Sequence, residues 1–184
     1  MTSTTVRPAT TAVSSQDRTA GTLALVCAGI SVVTGASQIL FPQDEDPAID
    51  PRTRLILVGV SVMLWLLAAV YVRLGAYARS AWAARTAAAG AVLLTVGMIS
   101  SAIRGEDFSW FPLVATVANA AWAIGSIALA VSLWRADRLH RALAAGVVLV
   151  MPGTIFLSQL GGGVLVGAYL AVLGWLLRRN QATR

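Results

Sequence analysis

Carboxylates are the side chains of this chain best suited to chemistry, and most of them gather in two short polar segments. Asp44, Glu45 and Asp46 lie in the first segment, and Glu106 and Asp107 lie in the second. Crowded carboxylates raise one another's pKa, because neighbouring negative charges disfavour ionisation. One of them can then stay protonated and act as a general acid. These five residues are our candidate catalytic acids.

Two other interpretations of these carboxylates are open: solvated loop residues without a chemical role, and a cluster that attracts divalent cations. We predict no metal site, because the chain has one cysteine, Cys27, and one histidine, His140, and so no Cys/His ligand cluster. No cofactor is predicted either, and the absence of lysine excludes Schiff-base chemistry.

Aromatic and amide side chains in or next to apolar segments are the candidate substrate-binding residues. Trp65 and Trp122 fall well inside such segments, and Trp110 directly precedes one. Indole ring faces bind apolar or cationic groups. Gln38 and Asn119 are the amides expected on the same side of the membrane as the acids. The alternative is that the tryptophans only pack or face lipid and that the amides hydrogen-bond between helices.

The composition places these residues in a membrane protein. With 57% hydrophobic and 12% charged residues, the chain is too apolar for a soluble domain of its size. The net charge of +6 comes from arginines that flank apolar segments, so we interpret them as topology determinants and predict no nucleic-acid partner. A chain rich in Ala, Val, Leu, Gly and Arg but without lysine is typical of a GC-rich genome, which indicates a bacterial plasma membrane.

Four charge-free apolar segments are each long enough to predict one membrane-spanning helix: Thr22–Phe41, Leu55–Val72, Thr86–Ile103 and Phe111–Trp134. A fifth apolar block, Ala142–Leu177, would form a helix of about 54 Å, nearly twice the thickness of the hydrocarbon core. It contains Met151-Pro152-Gly153 and Gly161-Gly162-Gly163. We therefore predict two helices here, Ala142–Leu157 and Gly163–Leu177.

Arginine positions predict the orientation of these helices. The positive-inside rule assigns three arginine-rich segments to the cytoplasm: Arg73–Arg85, Arg135–Arg141 and Arg178–Arg184. The predicted fold class is all-α, a polytopic membrane bundle of six transmembrane helices in three hairpins with both termini cytoplasmic. The predicted domains are a disordered tail over 1–20, the transmembrane domain over 21–178 and a second tail over 179–184.

Small residues on three of the predicted helices indicate close helix packing. They are Ala28, Gly29, Gly35 and Ala36; Ala118, Ala121 and Gly125; and Gly163, Gly167, Ala171 and Gly174. Their partner is either another helix of the same chain or a second copy of it.

The closing pattern Gly167-Ala168-Tyr169-Leu170-Ala171-Val172-Leu173-Gly174-Trp175-Leu176-Leu177-Arg178, together with the predicted topology, resembles a group of small uncharacterised six-helix membrane proteins of high-GC Gram-positive bacteria. That resemblance implies architecture only. In size and layout the chain is also similar to membrane-bound cyclases of isoprenoid or meroterpenoid biosynthesis. Gln43–Pro47 faintly resembles the Asp-rich acid motif of proton-initiated terpene cyclases but lacks its context and its final acid, so no motif of that class matches residue by residue.

Three functions follow as hypotheses. The most concrete is a membrane enzyme on an isoprenoid or lipid-like substrate, an acid-initiated cyclase that uses the candidate carboxylates. The alternatives are a non-catalytic accessory or sensor subunit and a small-solute transporter. The expected partners are the lipid bilayer, an apolar small-molecule substrate, and either further copies of the chain or a larger membrane protein.

Overall fold

The computed structural model describes residues 10–41, 49–106, 108–137 and 139–179, with side chains of the first helix from Arg18 onward. All regular structure in these residues is helical, which confirms the all-α prediction. The six α-helices, numbered in chain order, are α1 (Thr10–Leu40), α2 (Pro51–Ala78), α3 (Ala81–Arg104), α4 (Phe111–Ala136), α5 (Arg141–Ile155) and α6 (Gly162–Arg179). A short 3₁₀ turn, Ser158–Leu160, lies between α5 and α6.

Five of these described helices are long and apolar enough to cross a membrane, namely all except α5. The 15 residues of α5 form a helix of about 22 Å, shorter than a hydrocarbon core of roughly 30 Å. The fold is therefore that of a multi-pass membrane protein. The predicted side of each terminus and the predicted hairpins stay predictions.

Large apolar side chains also cover the outside of the helices, where a membrane protein contacts lipid. Examples are Val33, Leu55, Ile103, Leu113 and Leu165. The inward-facing sides of the helices meet in one core, whose largest completely buried side chains include Trp122, Tyr71 and Met63.

The last apolar block divides into two helices, as predicted. Helix α5 contains Pro152, whose carbonyl accepts the amide hydrogen of Phe156 at 2.9 Å as the helix ends. Gly161 follows the 3₁₀ turn with a φ of 89°, a left-handed conformation that glycine adopts without steric cost. Gly162 then begins α6 against the backbone of Gly153, where no side chain fits.

Each helix packs against the next one in the chain, and α6 packs against α1, while α2 also contacts α4. Small residues make the closest of these contacts. A Cβ added to Gly35 would lie 2.8 Å from the Cα of Gly163, and one added to Gly174 would lie 2.7 Å from the carbonyl oxygen of Gly21. Two predicted small-residue faces, on α1 and α6, are therefore partners within one chain.

The third predicted small-residue face, on α4, packs against α3 in the same way. A Cβ added to Gly90 would lie 2.6 Å from the carbonyl oxygen of Ala118, and one added to Gly125 would lie 2.7 Å from the Cα of Ala87. Gly29 differs from the other predicted glycines, since a Cβ added to it would meet no described atom of another element within 4 Å.

Candidate functional site

The candidate site lies on the face of α4 that carries Asn119, Trp122 and Ser126. The spacing of three and four residues places these side chains along one stripe of the helix. Trp122 is completely buried, and its indole N–H donates a hydrogen bond to the hydroxyl oxygen of Tyr71 on α2 at 2.9 Å. We call these four residues, Tyr71, Asn119, Trp122 and Ser126, the core polar cluster.

Packing of α4 against α3 decides where this stripe points. Ala118 and Gly125 meet the backbone of α3, and Asn119 and Ser126 each follow one of them by a single residue. One residue turns an α-helix by about 100°. Asn119 and Ser126 are thus rotated away from α3, toward the rest of the bundle, where α4 contacts α2 and α5.

Two polar atoms of the cluster are buried without a partner. Neither Asn119 Oδ1 nor Ser126 Oγ makes a hydrogen bond to any described residue, and Ser126 is only 1% exposed. The Ser126 hydroxyl lies near that of Tyr71 but outside hydrogen-bonding geometry. Buried polar groups are normally paired, so two unpaired atoms on one stripe require a physical explanation.

Several other hydroxyl groups of the helices are paired, because they donate hydrogen bonds to backbone carbonyls. Ser132 donates to the carbonyl of Ala128 at 2.8 Å, and Thr154 donates to that of Val150 at 2.7 Å, each within its own helix. Tyr169 of α6 donates to the carbonyl of Leu143 at 2.8 Å. Ser101 on α3 is a further buried hydroxyl without a described partner.

Two of the five predicted substrate-binding residues, Asn119 and Trp122, lie one turn apart on the same face of α4, the first half-buried and the second completely buried. Trp65 lies on the outer surface of α2 and is 55% exposed. Trp110 is 40% exposed at the start of α4, with its ring centroid 5.2 Å from that of Phe108. Gln38 is half-buried near the end of α1.

Only one of the five predicted catalytic acids belongs to the described residues. Asp44, Glu45, Asp46 and Asp107 lie outside them. Glu106 has a side chain that is 67% exposed and lies 3.4 Å from the guanidinium of Arg104. An exposed ion pair of this kind contributes little to stability.

One backbone hydrogen bond joins the segments next to these acids. The amide of Ile49, before α2, donates to the carbonyl of Gly105, after α3, at 3.0 Å. Arg54 Nε donates to the carbonyl of Ile49 at 3.2 Å. The start of α2 and the end of α3, which border the two acidic segments, therefore meet at one end of the bundle.

Asp50 caps α2 at this end of the bundle. Its carboxylate accepts the amide hydrogen of Thr53 at 2.6 Å. Hydrogen bonds from Thr53 and the nearby charge of Arg52 lower the pKa of Asp50, because they stabilise its ionised form.

Sequence reasoning missed Tyr71 and Ser126. A tyrosine hydroxyl deep in an apolar segment needs a partner, which was a usable signal for Tyr71. Ser126 stands four residues after Trp122, on the same helix face, and that spacing was also visible. Among the described residues, no group of three or more His, Cys, Asp or Glu side chains is placed to hold a metal ion.

Fold and site together define a multi-pass helical membrane bundle with a polar cluster in its core. No protein-family model matches the chain, and comparison with curated proteins and with solved structures finds no match. The geometry of the core polar cluster is therefore the main indication of what this protein does.

Proposed function

We propose that this protein is a multi-pass protein of the bacterial plasma membrane that acts as a non-catalytic sensor or accessory subunit. It binds a small molecule with a hydrogen-bonding group at the core polar cluster. The observation that carries the proposal is the pair of buried, unpaired atoms, Asn119 Oδ1 and Ser126 Oγ, beside the Trp122–Tyr71 hydrogen bond.

The low polarity of the surroundings makes such unpaired atoms costly. No water is present in the hydrocarbon core to satisfy them, and each unpaired group costs about 1–3 kcal/mol. A ligand that donates to Asn119 Oδ1 and bonds to the Ser126 hydroxyl removes this cost. The rings of Trp122 and Tyr71 supply apolar surface for the rest of the molecule.

The side chains of the cluster favour binding over catalysis. Asn119, Trp122 and Ser126 do not titrate in the physiological range, and a tyrosine ordinarily ionises near pH 10. General acid–base catalysis works best with a group whose pKa lies near the operating pH. A binding role therefore fits these four residues better than proton transfer.

The test is native mass spectrometry of the full-length protein, extracted gently from its own membrane, with the released small molecules identified. We expect a stoichiometric small molecule that is lost from the Asn119→Leu and Ser126→Ala variants. The matched control is Ser132→Ala, because the Ser132 hydroxyl bonds within its own helix. An empty wild-type protein, or equal loss from the control variant, contradicts a ligand at the core polar cluster.

The acid-initiated isoprenoid cyclase remains the alternative with the most specific chemistry. It requires a carboxylic acid that reaches a buried olefin next to an aromatic ring. The described candidate acid, Glu106, is exposed and paired with Arg104, so it does not favour that chemistry. Substitution of all five acids by their amides, followed by assay with polyprenyl substrates, tests the cyclase separately from the binding role.

A further inference from the structure

Three arginines stand at the end of the contact between α1 and α6 that includes Gly21 and Gly174. A Cβ added to Gly21 of α1 would lie 2.7 Å from Cγ of Arg178 and 2.8 Å from the carbonyl oxygen of Gly174. Arg18 precedes Gly21 by three residues and so shares its face of α1. Arg179 ends α6. We call Arg18, Arg178 and Arg179 the α1–α6 arginine cluster.

These guanidiniums are exposed and have no carboxylate partner among the described side chains. The ion pair that the described residues form is Arg104–Glu106, in another part of the bundle. The side chain of Asp17, next to Arg18, lies outside the described residues. Guanidiniums stay charged at any physiological pH and repel one another at short distance. The glycine contacts bring the backbones of α1 and α6 close together, so these like charges lie at the same end of one helix pair.

Two general effects account for part of this arrangement. Basic residues at the C-terminus of α6 are favoured by the helix dipole, and arginines are common at cytoplasmic ends. Arg18 is such an arginine too, because it begins the apolar span Arg18–Leu40 of α1. Neither effect supplies the negative charge that would balance three like charges at one end of this helix pair. An anion bound between the two helices would balance them, because it replaces like-charge repulsion by attraction.

We propose that the α1–α6 arginine cluster binds the phosphate of an anionic phospholipid. Guanidiniums bind phosphate through paired N–H donors. The guanidinium of Arg179 lies 5.1 Å from the ring centroid of Trp175, and tryptophan is enriched at the level of lipid headgroups. Exposed apolar side chains of the same helices, Val26 and Val172, continue from this level and offer contacts to the acyl chains.

The test compares two triple variants of the full-length protein in nanodiscs that contain phosphatidylglycerol and phosphatidylcholine. Arg18→Gln/Arg178→Gln/Arg179→Gln removes the cluster. Arg85→Gln/Arg135→Gln/Arg141→Gln is the matched control, since it removes the same charge and Arg141 also lies over a tryptophan ring, that of Trp134. Lipids retained after gentle release are counted by native mass spectrometry.

We expect the wild-type protein to retain phosphatidylglycerol over phosphatidylcholine, and the cluster variant to lose this preference by roughly tenfold or more. The control variant keeps it. Equal loss in both variants means diffuse attraction only and overturns the proposal, as does a wild-type protein without preference. If the triple variant does not fold, Arg18→Gln alone must still reduce the preference.

A separate arm distinguishes the lipid from free phosphate. The thermal unfolding temperature of the wild-type protein is measured in phosphatidylcholine alone, with added inorganic phosphate, and with phosphatidylglycerol at the same concentration of anion. We expect phosphatidylglycerol to raise this temperature and inorganic phosphate to leave it unchanged. Stabilisation by inorganic phosphate to the same extent would assign the cluster to a soluble anion and overturn the lipid proposal.

Discussion

Trp122 and Tyr71 show how much a single hydrogen bond matters in an apolar core. The indole N–H is completely buried, and the Tyr71 hydroxyl is its acceptor. Removing an acceptor from a buried donor costs more than the hydrogen bond itself contributes, because the donor is left without either water or protein. Tyr71 is therefore a stability determinant as well as a member of the core polar cluster.

The Tyr71→Phe substitution tests this role. We expect it to lower the free energy of unfolding by about 1–3 kcal/mol, because the Trp122 N–H loses its partner. Tyr169→Phe is the control and should cost less, since the carbonyl that Tyr169 contacts belongs to α5 and also serves the helix. Thermal unfolding in one detergent measures both variants. Equal losses would mean that the indole finds another acceptor.

At the site, the sequence predicted individual residues but not the contacts between them. Asn119 and Trp122 were identified because an amide and an indole are conspicuous within an apolar segment. Their partner Tyr71 lies 51 residues from Trp122 in the chain, and nothing in one sequence says which helices meet. Trp65 had the same local signature as Trp122 but lies on the outer surface, because the direction of a helix face depends on its neighbours.

Helix ends extend beyond the predicted segments for a local reason. Helix α2 begins at Pro51 rather than Leu55, because Asp50 caps it and proline fits the first helical turn. Charge-free length predicts the part of a helix inside hydrocarbon, whereas the capped polar turns lie beyond it. The break between α5 and α6 was predictable because proline and glycine interrupt helices through their own backbone chemistry.

The Asp50 cap gives α2 a pH-dependent end. The lowered pKa means that the ionised carboxylate stabilises the helix end above the ordinary value near 4, and that this stabilisation is lost as the pH falls through the lowered pKa. Hydrogen exchange at the Thr53 amide should show protection that declines on acidification. Asp50→Asn, compared at each pH, should lack this decline, and an unchanged profile would show that the cap does not control the helix end.

The glycine contacts between α1 and α6 predict a steric effect with a built-in control. A Gly35→Val side chain would meet the backbone of Gly163 and Val164 at less than 3 Å, so we expect a loss of about 3 kcal/mol in unfolding free energy. Gly29→Val changes the same helix where no described atom of another element lies within 4 Å. Thermal unfolding should separate the two variants, and similar losses would indicate that helix propensity rather than packing is being measured.

At the scale of the whole molecule, the number of membrane crossings depends on α5. Its length of about 22 Å is short for a hydrocarbon core of roughly 30 Å, but the 3₁₀ turn at Ser158–Leu160 extends the chain beyond it. The arginines at the end of α6 favour six crossings, because an odd number would place them opposite the other arginine-rich segments.

Cysteine labelling of intact cells decides between five and six crossings. In a Cys27→Ser background, the single variant Ala81→Cys places a thiol at the exposed start of α3, directly after the α2–α3 connection. Ser109→Cys and Gln159→Cys place one in the exposed connections α3–α4 and α5–α6. With six crossings, an impermeant maleimide labels the Ser109→Cys and Gln159→Cys variants, while Ala81→Cys reacts only after lysis. If α5 does not cross, Gln159→Cys instead behaves like Ala81→Cys, and the end of α6 lies outside the cell.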